Sequence, residues 1–315
     1  MRLIFALQLT LPLLFIAWIG FAPARNRLVF CIQVTAAAVA LFAVSLTGLW
    51  LFPPWWASWV FYPLLLAAVV MGWSRRSTGA PQLPARWMTW LSTAVLAAVG
   101  VGGAYQSVMA LAGRALQPGA VVDLAFPIKG GNYLVVNGGS NISINAHMVT
   151  LDPNVPRFHA YKGQSYGVDI VELGGFGLRA NGLLPPQPSA YKIYGAAVYA
   201  PCAGEVLAAL DGLPDMQVPQ VDRDHMAGNH VLLRCKQADV LLGHLKPGSL
   251  KVVAGTRVTA GHHIGNVGNS GNTGEPHLHI HAQLAGTATE PLSGTPLPIR
   301  LNGRFLVRND RIAID

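Results

Sequence analysis

Four apolar stretches, residues 3–21, 28–51, 56–73 and 88–111, limit the first third of the chain to one kind of structure. Each can cross about 30 Å of hydrocarbon as roughly 20 residues of helix, the one open-ended element that satisfies its own backbone in lipid. Residues 1–113 hold six arginines and no acid, so +6 of the formal +8 lies among apolar segments. Arg25 and Arg27 separate the first two stretches, and Arg75, Arg76 and Arg86 the last two. The loop Phe52-Pro-Pro-Trp-Trp56 is uncharged and reads as an interfacial aromatic anchor. The positive-inside rule therefore places the first and third loops in the cytoplasm and both termini outside, with Arg2 counting the other way. The first stretch lacks a convincing small-x-small cleavage site before Arg25, and three more spans follow, so it is read as a retained span, not a signal peptide. Pro12 and Gly100-x-Gly102-Gly103 fall inside spans, where small residues serve helix packing. Without an intramembrane acid or lysine, these helices read as an anchor in the lipid bilayer, not a transport pathway.

All 14 acids and all ten histidines lie beyond residue 113. The two charge types nearly cancel there, so no basic patch points to nucleic acid. We divide the chain into a four-helix transmembrane anchor (1–113), a linker (114–124) and a soluble domain (125–315). From Phe126 onward Gly, Val, Ile and Tyr with turn signals every 8 to 12 residues predict an all-β domain. Strands are expected at 132–136 and 143–145, flanking Gly138-Gly139-Ser140-Asn141, with loops at 211–227 and 291–298 and a last strand or pair within 304–314. His225 in the first of these loops and His262 and His263 in a turn are read as solvent-facing. His230 either faces a site or caps a strand.

The densest chemistry lies in the stretch from Gly265 to His281, glycine-rich at first and then His277-Leu-His279-Ile-His281. Alternation with period two puts the three imidazoles on one strand face and Leu278 and Ile280 on the other. Imidazole is the commonest metal ligand, and three in a row on one face suit a site better than a core.

Gly268-Asn-Ser-Gly271 followed by Pro276-His-Leu-His279 resembles the signature of the M23 zinc metallopeptidases, the lysostaphin- or LytM-type endopeptidases of bacterial cell walls. Ala200-Pro-x-x-Gly204-x-Val206, Gly228-Asn-x-Val231 and Leu241-Leu-Gly-His-Leu245 are similar to further segments of that family, and the resemblance spans about 125–300. It implies an antiparallel β domain of the lysostaphin type (duplicated hybrid motif-like), one zinc ion, and metal ligands at Asp169 and His279. It also implies His277 as general base and His244 as the residue that bonds the oxyanion or orients the water. The substrate implied is the peptide part of peptidoglycan, met outside the cytoplasmic membrane, and other cell-wall enzymes are possible partners. In Gln164-Ser-Tyr-Gly-Val-Asp169 the family's H-x-G-x-D histidine is replaced by Ser165, a poor zinc ligand. Asn145-Ala-His147 upstream is similar to a branch of the family with N-x-H before Q-x-Y-x-x-D. That likeness implies His147 as the third ligand, with His159 the alternative. The same substitution raises a rival reading, a degenerate domain that regulates or binds cell-wall enzymes.

Cys31 lies within a span, and Cys202 and Cys235 lie in the soluble part. In the family's arrangement the strands bearing Cys202 and Cys235 are antiparallel neighbours. A register that sets Val206 opposite Val231 also sets Cys202 opposite Cys235, within reach of a disulfide in an oxidising compartment. Either a bridge or two packed thiols fits that register.

Overall fold

The computed structural model describes all residues except Met1, Arg25, 78–85 and Gln117, so Arg25, used above to orient the spans, lies outside the described residues. The chain separates into two compact units, Met1–Ala112 and Gly113–Asp315.

In the first unit the four apolar stretches form α1 (Arg2–Phe21), α2 (Arg27–Thr47), α3 (Ala57–Ser77) and α4 (Arg86–Gly113), each long and apolar enough to cross a membrane. Asn26 starts α2 by accepting from the backbone N–H of Leu28 and Val29. A Cβ on Gly100 would lie 2.9 Å from Ala36, and one on Gly103 3.1 Å from Ala40, so these glycines let α4 approach α2. Gly102 meets nothing within 4 Å and takes no part. The buried Gln8 donates to the carbonyls of Leu49 and Phe52, both in the loop that follows α2.

The second unit is built on a twisted sheet. In chain order its strands are β1 (Val122–Leu124), β2 (Gly131–Asn137), β3 (Val168–Leu173), β4 (Ala197–Tyr199) and β5 (Gly204–Leu210). β6 (Asn229–Cys235), β7 (Asp239–Leu245), β8 (Arg257–Val258), β9 (His263–Asn266) and β10 (Leu278–Leu284) follow. β11 (Thr295–Leu297), β12 (Ile299–Leu301) and β13 (Arg311–Ile314) close the chain. The main sheet runs β13-β2-β3-β10-β7-β6-β5-β8, with β11 also on β10, and all its pairs are antiparallel. β1 and β12 pair parallel, a departure from the purely antiparallel expectation. β1 also occupies the end of the stretch read as linker.

Alternation gives the sheet two different faces. Val168, Ile170, Val231, Leu233, Val240, Leu242, Leu278 and Ile280 pack into the main core. The opposite face carries Asp169, His279 and His281 in one region and Leu232 and Leu241 beside them. Leu232 and Leu241 sit in a smaller cluster with Leu292 and the half-buried Tyr161. Two 3-10 segments, Ala146–Leu151 and Pro156–Gln164, lie in the connection from β2 to β3.

Three local expectations are corrected. Residues 143–145 form a turn, because the Asn141 side chain accepts from Ser143 N–H and its carbonyl accepts from Asn145 N–H. The stretch 291–298 contains β11, paired to the end of β10. His263 opens β9 half-buried, its Nε2 against the Gly265 carbonyl.

The cysteine register is also corrected. Val206 opposes Leu233, and after a bulge Ala209 opposes Val231. Cys235 therefore faces Gly204, not Cys202. The disulfide Cys202–Cys235 nonetheless forms, from the turn before β5 to the end of β6, with Cα atoms 6.0 Å apart.

Candidate metal centre

β3 and β10 place Asp169 directly opposite His279. Directly opposed side chains on antiparallel strands share a face, and His279 Nδ1 lies 2.8 Å from Asp169 Oδ1. Across β2 the Asn137 amide donates to Asp169 Oδ2 at 2.8 Å, and Arg308 holds Asn137 by donating to its Oδ1 at 2.7 Å. Burial opposes ionisation of Asp169. The charges of His147 and His277, and hydrogen bonds from His277 and His279, outweigh it and hold the carboxyl well below its usual range.

His147 reaches the same carboxylate from the 3-10 segment between β2 and β3, with Nε2 3.5 Å from Asp169 Oδ2. Its orientation is set by Asn145, whose Oδ1 caps the His147 backbone N–H and accepts from ring Nδ1 at 2.9 Å. The Asn145 amide nitrogen donates to the carbonyls of Gly139, Ser165 and Gly167, which fixes which end of the amide faces the ring. Burial lowers the His147 pKa to about 4 against the pull of Asp169, so the ring is neutral near pH 7. Ser165 is fully buried and points elsewhere, its hydroxyl bonded to the Lys162 carbonyl and to Thr150 Oγ1. Gly167 is needed for this convergence, because a Cβ there would stand 2.6 Å from His279 Cε1 and 3.2 Å from His147 Nδ1.

His277 and His244 complete the cluster. His277 lies just before β10, with Nε2 3.5 Å from Asp169 Oδ1 and Nδ1 donating to the Glu275 carbonyl at 2.9 Å. Glu275 is held by a buried, two-pronged ion pair with Arg179, at 2.7 and 2.8 Å. Thr273 Oγ1 donates to the same Glu275 carbonyl. His244, near the end of β7, adopts φ 60° and donates from Nδ1 to the Ser270 carbonyl at 2.9 Å. Its ring centroid lies 4.7 Å from that of His277 and 5.9 Å from that of His279. Desolvation and its charged neighbours hold His244 well below the usual imidazole pKa. Desolvation also opposes charging of His277, but the Asp169 carboxylate and its hydrogen bond raise that pKa. His147 and His244 thus each spend Nδ1–H on a protein oxygen and keep the Nε2 lone pair, whereas His277 spends Nδ1–H in the same way and turns Nε2 to the Asp169 carboxylate.

The predicted residues therefore divide cleanly. His147, Asp169 and His279 offer ligand atoms within 4.8 Å of one another, and His244 and His277 stand beside them. His159 is exposed and bonded to the Asp152 carbonyl, outside this cluster. His225 is exposed and paired with Asp222. His230 is buried, with Nδ1 donating to the Gly228 carbonyl, and borders a cavity of about 720 Å³ lined also by Tyr161, Leu210, Met226 and Leu292. Arg179, Glu275, Asn137 and Arg308 position the cluster yet stand in no motif. Only Glu275's place two residues before His277 hinted at a role.

Two imidazole nitrogens and one carboxylate oxygen, buried and convergent, are a donor set suited to zinc, and three protein ligands leave a position open for chemistry. The observed crowding fits such an ion, since one carboxylate meets three imidazoles within 3.5 Å.

Residues 191–291 match the model of Peptidase family M23, a segment holding His244, His277 and His279 but neither His147 nor Asp169. No curated protein matches the chain. Among solved structures, the catalytic domain of the antimicrobial peptidase lysostaphin from Staphylococcus simulans is 22% identical over 40% of this chain and 71% of its own, with a TM-score of 0.26. A zinc containing peptidase from Vibrio cholerae is 18% identical over 37% of this chain and 46% of its own, with a TM-score of 0.23. A putative peptidase M23 from Pseudomonas aeruginosa is 22% identical over 33% and 42%, with a TM-score of 0.22. The chain thus spans less than half of the last two.

Proposed function

We propose that this chain, an M23-type peptidase domain C-terminal to four membrane-length helices, is a membrane-anchored zinc endopeptidase that hydrolyses peptide bonds of bacterial peptidoglycan. The observation that carries the reading is the convergence of His147, Asp169 and His279 with two further histidines at their side. His147 and His279 through nitrogen, and Asp169 through oxygen, would hold the metal. A zinc ion in such a site polarises a carbonyl and brings the pKa of a bound water to about 7.

The remaining steps belong to the side chains. His277, its Nδ1–H fixed on the Glu275 carbonyl, presents Nε2 as the base that takes the proton of the attacking water. Once protonated, the same nitrogen can return that proton to the leaving amine. His244, with Nδ1–H committed to Ser270, offers Nε2 as an acceptor, which suits orienting the water. Of the two roles expected for His244, the neutral ring therefore favours the second.

The domain would face the extracytoplasmic side of the inner membrane, where wall peptides are met. The disulfide supports that placement, since such bridges persist in oxidising compartments. Replacement of the motif histidine by Ser165 favours the rival reading, a degenerate regulator of wall enzymes. His147 bears against it, because it brings an imidazole to the carboxylate while Ser165 takes a structural bond. The test is digestion of purified cell-wall muropeptides by the full chain in detergent. New amino termini, lost on chelation and regained with zinc, are expected. A chain that binds no zinc and cleaves nothing would support the regulator, which keeps the fold without the metal.

A further inference from the structure

His281 is the third histidine of the alternating run, and none of the roles above uses it. It is fully buried, and its Nδ1 lies 2.9 Å from His279 Nε2. Its own Nε2 is buried with no hydrogen-bond partner. An unpaired buried polar atom costs about 1–3 kcal/mol, and a residue kept only for packing would not carry one. Leu241, directly opposite on β7, is what a purely apolar solution looks like on this face.

The hydrogen bonds of His279 explain the exception. Its Nε2 is occupied by His281, so only Nδ1, already at Asp169 Oδ1, faces the carboxylate. A neutral imidazole carries one ring proton. With no metal, a carboxylate acceptor draws that proton to His279 Nδ1, and Nε2 must then accept from His281 Nδ1–H. For His279 Nδ1 to bind a cation, the proton must sit on Nε2 and be donated to His281 Nδ1. His281 then carries its proton on Nε2. An imidazole serves both arrangements because each ring nitrogen can either donate or accept.

We propose that His281 is a positioning residue that fixes the tautomer of His279, so that His279 Nδ1 is the metal-binding atom. This rests on the reading that His279 is a metal ligand. Partners that orient a ligating histidine typically change metal affinity by about 10–100-fold when removed. An asparagine amide places an oxygen or nitrogen where imidazole Nδ1 stands and can turn either end toward His279.

The test uses the full chain in detergent, with zinc affinity measured by chelator competition. His281→Ala should weaken zinc binding about 10–100-fold, and His281→Asn should recover most of the loss. In the zinc-loaded wild type, nitrogen-15 NMR of the histidines should find the His279 proton on Nε2 and the His281 proton on Nε2. Unchanged affinity in His281→Ala, or an asparagine variant as weak as alanine, would overturn the proposal. A His281 proton on Nδ1 in the loaded wild type overturns it independently of any variant's folding. A wild type that binds no zinc removes the metal reading and this inference together, whereas zinc binding indifferent to residue 281 removes the inference alone.

Discussion

The Asn145 amide oxygen accepts the Nδ1 proton of His147 at 2.9 Å and so turns His147 Nε2 toward Asp169. This bond supports His147 as the proposed third ligand, because it orients a histidine toward the carboxylate that Ser165 does not reach. His147→Ala and His279→Ala are expected to lose most bound zinc, and His159→Ala to keep it, as read by metal analysis of the purified chain. Loss of zinc only in the His159 variant would reverse the assignment.

Arg179 and Glu275 form a buried ion pair whose carboxylate partner also supplies the carbonyl that orients His277. Breaking such a pair from one side leaves an uncompensated charge and costs about 3–5 kcal/mol. Arg179→Met should destabilise the second unit by that order. Glu275→Gln, which keeps the backbone carbonyl, should lower kcat more than it raises KM. Equal stability of Arg179→Met and wild type in urea would contradict the buried-pair account.

Stability of the metal-free protein should fall with acid. His147, His244, His230 and His281 all have folded pKa values below 6.5, His147 at about 4, chiefly through desolvation. The unfolded chain binds protons at these groups first, so their stabilisation is complete above pH 6.5 and drains away toward pH 4. Each contributes a slope of about 1.4 kcal/mol per pH unit within its window. His277, with a raised value, works the other way, but its gain is made above pH 6.5 and is complete before the fall begins. Hydrogen exchange of the β10 amides in chelator should accelerate between pH 6.5 and 4.5, after correction for intrinsic rates. Constant protection across that window would refute the prediction.

The Cys202–Cys235 bridge closes a loop with a sequence separation of 33. Replacing both residues with serine should cost about 2–4 kcal/mol. Alkylation of the denatured chain without reductant should modify only Cys31 of the three cysteines. Three modified cysteines would mean that no bridge forms.

Hydrophobic runs and strand alternation made both units legible, because burial writes itself into residue type at fixed period. The His277–His281 alternation placed Leu278 and Ile280 in the core and His279 and His281 on the other face, as period two requires. The register of β5 on β6 was not legible, since Val231 and Leu233 share the core face and a slip of two residues, which sets Val206 opposite Leu233, leaves the apolar pattern unchanged. The positioning shell of Asn137, Arg179, Glu275 and Arg308 was also hidden. These residues approach the site from distant parts of the chain, and a polar residue buried by tertiary contacts looks in sequence like any surface one. His147 stood between the two cases, marked by its neighbour Asn145 but separated by geometry alone from His159.

The backbone of His244 has a consequence for how such a chain can vary. At φ 60° an L-residue carries a strain of order 1–2 kcal/mol that glycine escapes. Folding by itself would therefore push position 244 toward glycine or asparagine. Only a demand on the imidazole holds histidine there against that drift. A population selected for abundance would abandon the residue early, and one selected for what the site does would keep it to the last.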